Sequence, residues 1–204
     1  MKNSIQNLIA SSLTAIVLTS TLFTTSVSAV ESSKIKVAAP VSVKRVYVKG
    51  NVEITLIQRV TEGVTYSDDN TGNAKIVQDG DILRISSTDK NVAKLVVYVK
   101  DIYRIEASEN AVIKTNGKIS IKFLQVFLNG NAHADLNTST EGLYTIIKDN
   151  AELKLSGSTD NHSLVMGKTS KLTIERFAAL KTNISATETA IETNSVEKEI
   201  ASIK

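Results

Sequence analysis

The chain has 204 residues, with 24 Lys and Arg against 21 Asp and Glu, one Pro and no Cys. The lack of Cys excludes disulfides and thiolate chemistry, and basic residues scattered along the chain argue against a nucleic-acid partner. Frequent Val, Ile and Thr favour strands over helices or disorder.

Residues 1–29 have the pattern of a cleaved secretory signal peptide. Lys2 gives a weakly basic start, an apolar stretch broken by Ser and Thr follows, and Val27-Ser28-Ala29 supplies small residues for a peptidase. The alternative is a membrane anchor, but a spanning helix needs about 20 strongly apolar residues and this stretch is more polar. We therefore expect cleavage near Ala29, no stable membrane span afterwards, and export to the periplasm, the cell surface or the medium.

Residues 30–42 are predicted to be a linker, and strands begin after it. Val43–Lys49 alternates in polarity, and Val52–Ile57 follows a tight-turn pair at Gly50-Asn51. Further along, Asp79-Gly80 separates two short strand-like segments and is a strong hairpin signal. The sequence therefore predicts N-terminal β-strands and a hairpin ahead of the region that follows.

The segment Leu95–Val99 is a continuous apolar run, for which burial on both faces is the simplest cause. The next region begins directly after it, with no linker composition between them. We therefore expect one continuous domain over residues 43–194.

From Glu106 to Asn194 the chain repeats itself every 19 to 21 residues. A small residue, the anchor, returns in steps of 21, 19, 19 and 19 at Ala111, Ala132, Ala151, Ser170 and Thr189. Two residues beyond each anchor is a position predicted to point inward: Ile113, Ala134, Leu153, Leu172 and Ile191. One repeat, at about 3.3 Å per residue, has roughly 60 Å of contour, enough for one turn of a coil. The period predicts an all-β, parallel β-helix of about five short rungs, with a β-sandwich as the alternative.

Three strings carry a resemblance to a known family: Leu128-Asn-Gly-Asn-Ala-His-Ala-Asp-Leu136, Ile147-Lys-Asp-Asn-Ala-Glu-Leu-Lys-Leu155 and Met166-Gly-Lys-Thr-Ser-Lys-Leu-Thr-Ile174. They resemble the L-S-G-A-S-x-L-x-L repeats of the head GIN domain family, a domain of unknown function labelled putative auto-transporter adhesin and common in Bacteroidetes. The resemblance spans residues 43–194. It implies a single-stranded, right-handed β-helix in an exported protein and brings no catalytic residues with it. The chain departs from the family where Asn, Asp and Lys replace the Ser-Gly-Ala turn.

Stacked rungs would convert the repeat into columns of equivalent residues. A second inward column, ending at Ser185, is predicted to contain Leu128, Ile147 and Met166. The residues before three anchors predict a structural amide ladder, with a polar ligand site as the alternative: Asn110, Asn131 and Asn150. One outward column predicts a solvated face of paired charges: Lys114, Asp135, Lys154, Thr173 and Glu192.

Another outward column is apolar and is the candidate contact surface. The residue before each member of the second inward column should point outward. This predicts a contact stripe of Phe127, Ile146, Val165 and Ile184, with Tyr144 beside it. Exposed apolar patches of this kind mark contact surfaces. Three occupants remain open: the protein's own N-terminal strands or C-terminal tail, a second copy in a homodimer, or a partner such as a cell-surface protein or glycan.

The sequence contains no evident catalytic or metal site. His133 aligns with Val112, Glu152 and Lys171 in a surface column, and His162 falls near a polar corner. Neither the ligand spacing of a metal site nor a G-x-S-x-G nucleophile elbow occurs, and no cofactor is implied. We therefore expect a non-catalytic surface or periplasmic module that binds, adheres or self-associates.

Two alternative functions remain open. The first is a small carbohydrate-active β-helix, for which Asp135, Glu152 and Lys154 are adjacent, although aromatic residues make up 4% of the chain and Trp is absent. The second is a purely structural envelope protein. Residues 195–204 mix charged and apolar residues, and we expect them to be a tail or to cap the open end of the coil.

Overall fold

The computed structural model describes residues 42–186, in which every regular element is a β-strand. In chain order the strands are β1 Arg45–Gly50, β2 Val52–Gln58, β3 Gly63–Tyr66, β4 Lys75–Asp79, β5 Ile82–Ser87, β6 Ala93–Val99, β7 Arg104–Ser108, β8 Val112–Thr115, β9 Ile119–Ser120, β10 Phe123–Leu128, β11 His133–Ile147, β12 Glu152–Met166 and β13 Lys171–Ala186. The predicted signal peptide, nearly all of the predicted linker, the last copy of the repeat (Thr189, Ile191, Glu192) and the expected cap lie outside the described residues.

These strands form one curled sheet in which most pairs are parallel. His133 of β11 lies opposite Val112 of β8 on one side and opposite Glu152 of β12 on the other, so the register steps are 21 and 19 residues. Lys171 of β13 follows Glu152 after another 19 residues. The repeat therefore places equivalent residues on neighbouring strands, as its period predicts.

The first inward column is confirmed over the described residues. Ala134 lies between Ile113 and Leu153, and Leu172 follows Leu153. The first three of these side chains are fully buried, as are the small anchors Ala111, Ala132 and Ala151. Because a buried aliphatic side chain contributes about 1.5–3 kcal/mol, this column is a main source of stability.

The predicted N-terminal strands lie ahead of the repeating strands and pair with them in the same sheet. β1 lies between β5 and β7, so Val46 is flanked by Leu83 and Ile105. β2 lies in the same way between β6 and β8, with Ile54 opposite Ile113. The physical reason is that β1 and β2 have the inward alternation of the repeats and complete the same core. The strands are rungs of the sheet although their sequence lacks the period.

Gly50 forms a corner between β1 and β2, which do not pair with each other. Its φ is +81°, and a Cβ atom added there would lie 2.0 Å from the carbonyl oxygen of Ser87. The position therefore requires glycine both for its backbone conformation and for the close approach of the neighbouring rung. The predicted turn at Gly50-Asn51 is confirmed. It connects β1 and β2, which lie on two different faces of the curled sheet.

Two antiparallel strands make the sheet mixed. β4 pairs with β5 across Asp79-Gly80, which confirms the predicted hairpin. β3 pairs antiparallel with β6, and Tyr66 lies opposite Leu95. β3 pairs beside β6 and β4 beside β5, so these two strands flank the N-terminal strands of the sheet.

The apolar run in β6 is buried on one face only, and the prediction of burial on both faces is wrong. Leu95, Val97 and Val99 are buried, while Val96 and Tyr98 are only partly covered. The reason is that no strand within residues 42–186 forms a second layer over the outer face of β6. Side-chain alternation, rather than uniform burial, therefore governs β6 as it governs the other rungs.

A bulge shifts the register in the last strand. Leu155 lies opposite Ile174, but Gly157 lies opposite Phe177, so β13 contains one additional residue in this interval. Arg176 there has φ +49°. A shift of one residue exchanges inward and outward positions, so Ile184 lies opposite inward Leu164, and Ser185 lies opposite Val165. The predicted places of Ile184 in the contact stripe and of Ser185 in the inward column are therefore wrong.

Candidate functional site

The outward stripe exists over three rungs. Phe127 of β10 lies opposite Ile146 of β11, which lies opposite Val165 of β12. All three side chains are partly exposed. Tyr144, two residues before Ile146, is 36% exposed, and its ring meets that of Phe127 edge-on with centroids 6.0 Å apart. The structure thus brings four of the five predicted residues onto one face.

Ile184 is separate from this group. It is 71% exposed, but it continues the inward column of Val126, Thr145 and Leu164. Its exposure arises because it belongs to β13, the last strand in the part of the chain that the structure describes. Ile184 is therefore a core-type residue at the end of the described sheet.

The N-terminal strands continue the face sideways and do not cover the stripe. Next to Phe127 on β7 is Glu106, and next to Glu106 on β1 is Tyr47. The guanidinium of Arg104 lies 4.2 Å from the ring centroid of Phe127 and is ion-paired with Glu106. The hydrogen bond from Tyr47 to Glu106, with burial second, raises the pKa of the tyrosine hydroxyl. On this side the stripe ends in a network of paired polar groups.

A further aromatic residue of this face, Phe123, was missed by sequence reasoning. Phe123 is 58% exposed and lies directly opposite Gly142 on β11. Its ring occupies the space that a side chain at position 142 would need, since an added Cβ would lie 2.8 Å from Cδ1 of Phe123. The sequence pattern that could have identified Phe123 is its spacing: Phe123, Gln125 and Phe127 are each two residues apart, so all three lie on one face of β10.

Gln125 lies at the centre of these groups. Phe123 and Phe127 flank it along β10, and Arg104 and Tyr144 lie opposite it on the neighbouring strands. Its backbone N–H donates to the carbonyl oxygen of Tyr103 at 2.8 Å. Within residues 42–186 its side-chain amide makes no hydrogen bond. We define the aromatic patch as Phe123, Gln125, Phe127 and Tyr144.

The amide ladder is formed for one step. Asn131 Nδ2 donates to Asn110 Oδ1 at 3.3 Å, and both residues are exposed. Asn150 instead donates its backbone N–H to the carbonyl oxygen of Gly130, whose own N–H donates to Asp149 Oδ2. Hydrogen bonds at this corner are thus shared between side chains and backbone.

The column of charges is aligned as predicted. Asp135 lies between Lys114 and Lys154, and its carboxylate is 3.5 Å from Lys154 Nζ. Lys154 also pairs with Glu175 at 3.1 Å, and Lys114 pairs with Glu53 at 2.7 Å. These pairs are exposed enough that each is worth about 0–1 kcal/mol. The carboxylate and lysine that suggested carbohydrate chemistry are thus members of surface ion pairs.

The two histidines lie in different environments. His133 is half exposed, with Nδ1 3.5 Å from the carboxylate of Glu152. His162 is buried, its Nε2 is 2.9 Å from Thr145 Oγ1, and its ring meets that of Phe177 edge-on. Burial lowers the pKa of His162. His162 therefore acts as a neutral core residue in the column of Leu143.

The described part of the chain contains no group of three or more His, Cys, Asp or Glu residues placed to hold a metal ion. It also contains no helix of the length and apolar character that crossing a bilayer requires.

Comparison with known proteins gives a family and a fold. The family model described as putative auto-transporter adhesin, head GIN domain, matches residues 42–203. No curated protein matches the sequence. A crystal structure of a putative adhesin from Parabacteroides distasonis ATCC 8503 is similar with a TM-score of 0.52 and 11% identity, over 71% of this chain and 74% of that one. A putative lipid binding protein from the same organism has a TM-score of 0.52 and 12% identity, over 72% and 76%. At such identities the likeness concerns the fold alone.

Proposed function

Because the chain belongs to the head GIN domain family of putative auto-transporter adhesins, we propose that it is an exported, non-catalytic binding module. Its signal peptide, residues 1–29, is removed near Ala29. The domain of residues 43–194 then forms a right-handed parallel β-helix that presents a contact face at the cell surface or in the periplasm. The consecutive parallel pairing of β10 to β13 supports the β-helix.

The observation that carries this proposal is the stripe of Phe127, Ile146 and Val165 with Tyr144 beside it. Apolar side chains stacked on three neighbouring rungs cost solvation free energy when they face water. The neighbouring N-terminal strands extend the face instead of covering it. A face of this kind is accounted for by a contact with another molecule, either a surface partner or a second copy of the chain.

The test introduces a carboxylate into the stripe. Ile146→Glu is the cleaner variant, because the lateral neighbours of Ile146 are Phe127 and Val165. Phe127→Glu is a second variant, but its carboxylate would lie beside Glu106 and repel it. Val77→Glu is the matched control, since Val77 is a partly exposed residue on β4, far along the sheet order from the stripe.

The mature protein is assayed for retention on isolated bacterial envelopes and, by light scattering, for self-association. We expect wild type and Val77→Glu to associate in at least one assay, and Ile146→Glu to lose that association while its thermal unfolding changes little. The proposal fails if the wild type is monomeric and the stripe variants bind envelopes as well as the wild type does.

A further inference from the structure

We propose that the aromatic patch binds a neutral oligosaccharide. Exposed rings would pack against the C–H faces of the sugar units, and the amide of Gln125 would hydrogen-bond their hydroxyl groups. This inference rests on the proposed binding function and adds the chemical class of the partner.

The aromatic residues of the chain are few but concentrated. Of its 5 Tyr and 4 Phe, four point outward from the same face of β1, β10 and β11: Tyr47, Phe123, Phe127 and Tyr144. The low aromatic content argued against a sugar site in the sequence, but content does not report position. An exposed ring offers a flat apolar surface with a negative face, to which the weakly positive C–H groups of a pyranose are attracted.

Polar groups of the right kind lie among and beside the rings. The amide of Gln125 has both donors and an acceptor and lies between Phe123 and Phe127 on β10. The row of Gln125 continues with Tyr144 on β11, Ser163 on β12 and Asn183 on β13. Sugar hydroxyls both donate and accept hydrogen bonds. Polar groups on strands about 4.8 Å apart, with Gln125 on one side of Tyr144 and Ser163 and Asn183 on the other, therefore suit an extended chain of sugars.

The charges around the patch favour a neutral sugar over an acidic one. Arg104 is ion-paired with Glu106, and Lys122 Nζ is 3.4 Å from the carboxylate of Glu141. The cations adjoining the patch therefore already have carboxylate partners in the described structure. An acidic sugar or a phosphate would have to compete with those carboxylates for the same cations.

A second copy of the chain fits this patch less well than a glycan does. Two strands at about 4.8 Å by five residues at about 3.3 Å give the patch an area of roughly 160 Å². A stable protein interface buries about 800 Å² on each partner. Enlarging the contact beyond the patch would bury the Arg104–Glu106 pair, and an ion pair is costly to bury unless the partner satisfies its remaining hydrogen-bonding groups.

The experiment is calorimetric titration of the mature protein with hexasaccharides. The neutral probes are cellohexaose, chitohexaose, xylohexaose and mannohexaose, and hexagalacturonate is the acidic probe. We expect at least one neutral probe to bind with an affinity that salt does not change. Phe123→Ala, Tyr144→Ala and Gln125→Ala should each weaken binding by about tenfold or more.

The matched control is Tyr98→Ala. Tyr98 is also a partly exposed aromatic residue under a guanidinium, with Arg59 4.8 Å from its ring centroid, but it lies on β6. This variant should bind the hexasaccharides as the wild type does. Thermal unfolding of each variant checks that it is folded.

The inference is overturned if none of the neutral probes binds, if hexagalacturonate binds more tightly in a salt-sensitive way, or if the patch variants bind as the wild type does. Its failure is distinguishable from that of the proposed function. If no hexasaccharide binds but Ile146→Glu still abolishes envelope retention or self-association, the face is a contact surface for something other than a neutral glycan.

Discussion

Replacing Gly142 by alanine should displace the ring of Phe123 from the sheet without unfolding the protein. The added Cβ would lie 2.8 Å from Cδ1 and 3.2 Å from Cε1 of that ring, closer than van der Waals contact permits. The backbone at Gly142 is not left-handed, so alanine itself causes no backbone strain. Because Phe123 is largely exposed, its ring can rotate away into solvent.

The net change in stability should be small because two effects oppose each other. Phe123 is 58% exposed, and a fully buried Phe contributes about 1.5–3 kcal/mol, so the covered part of this ring contributes about 1 kcal/mol. Removing glycine stabilises by about 0.4–1 kcal/mol because the unfolded chain has fewer conformations. We therefore expect Gly142→Ala to change the unfolding free energy by less than about 1 kcal/mol.

The assay is a double-mutant cycle by urea denaturation with Gly142→Ala, Phe123→Ala and the double variant. In the Phe123→Ala background the clash is absent, so Gly142→Ala should be stabilising there, and the coupling should be about 1 kcal/mol. Gly63→Ala is the control for the glycine effect, because an added Cβ meets nothing within 4 Å and no left-handed φ occurs there.

Two results would contradict a contact between the Phe123 ring and Gly142. If the two substitutions are additive within about 0.5 kcal/mol, the ring of Phe123 does not rest on Gly142. If Gly142→Ala costs more than about 2 kcal/mol in both backgrounds, the obstruction is in the backbone and not in the ring.

Two further predictions concern the corner glycines and the buried histidine. Gly157→Ala should destabilise by clearly more than the about 1–2 kcal/mol of a left-handed backbone, because φ is +100° and the Cβ would lie 2.0 Å from the carbonyl oxygen of Thr138. Gly80→Ala, with φ +58° and open space, should show only the backbone cost, and equal losses in urea would contradict this account. Burial lowers the pKa of His162 in the folded protein below its unfolded value of about 6.5. At a pH between these two values only the unfolded chain binds the proton. The free energy of unfolding therefore falls as the pH falls below about 6.5. His162→Leu should remove this acid-dependent loss, and melting curves of the two proteins that stay parallel from about pH 7.5 to about pH 5 would contradict it.

The period of the repeat was sufficient to align β8, β11, β12 and the first half of β13. Neighbouring rungs are one period apart in the chain, so the pairs His133–Glu152 and Glu152–Lys171 follow from counting residues. The same counting failed beyond Arg176. The additional residue in β13 produces no recognisable pattern in the sequence, but it moves Ile184 from the outward face to the inward column.

The candidate site was predictable in part. The stripe of Phe127, Ile146 and Val165 follows from the alternation of side chains within aligned strands. Phe123 was missed because its neighbour on the next rung is Gly142, so no apolar column marks it. The ring of Phe123 lies across the backbone of Gly142. A contact between a side chain and a glycine backbone leaves no periodic pattern in the sequence.

The all-β class, the spacing of the repeat and the inward and outward alternation could be predicted from the sequence alone, because these depend on local chain geometry and on residues one period apart. The position of β1 between β5 and β7 is known only from the tertiary structure. Strands that are distant in the chain pair because their inward side chains pack into one core, and that packing leaves no period in the sequence. The same pairing brings Tyr47 onto the face of Phe127. A scattered set of aromatic residues thereby becomes one surface, because strands that are far apart in sequence share a sheet.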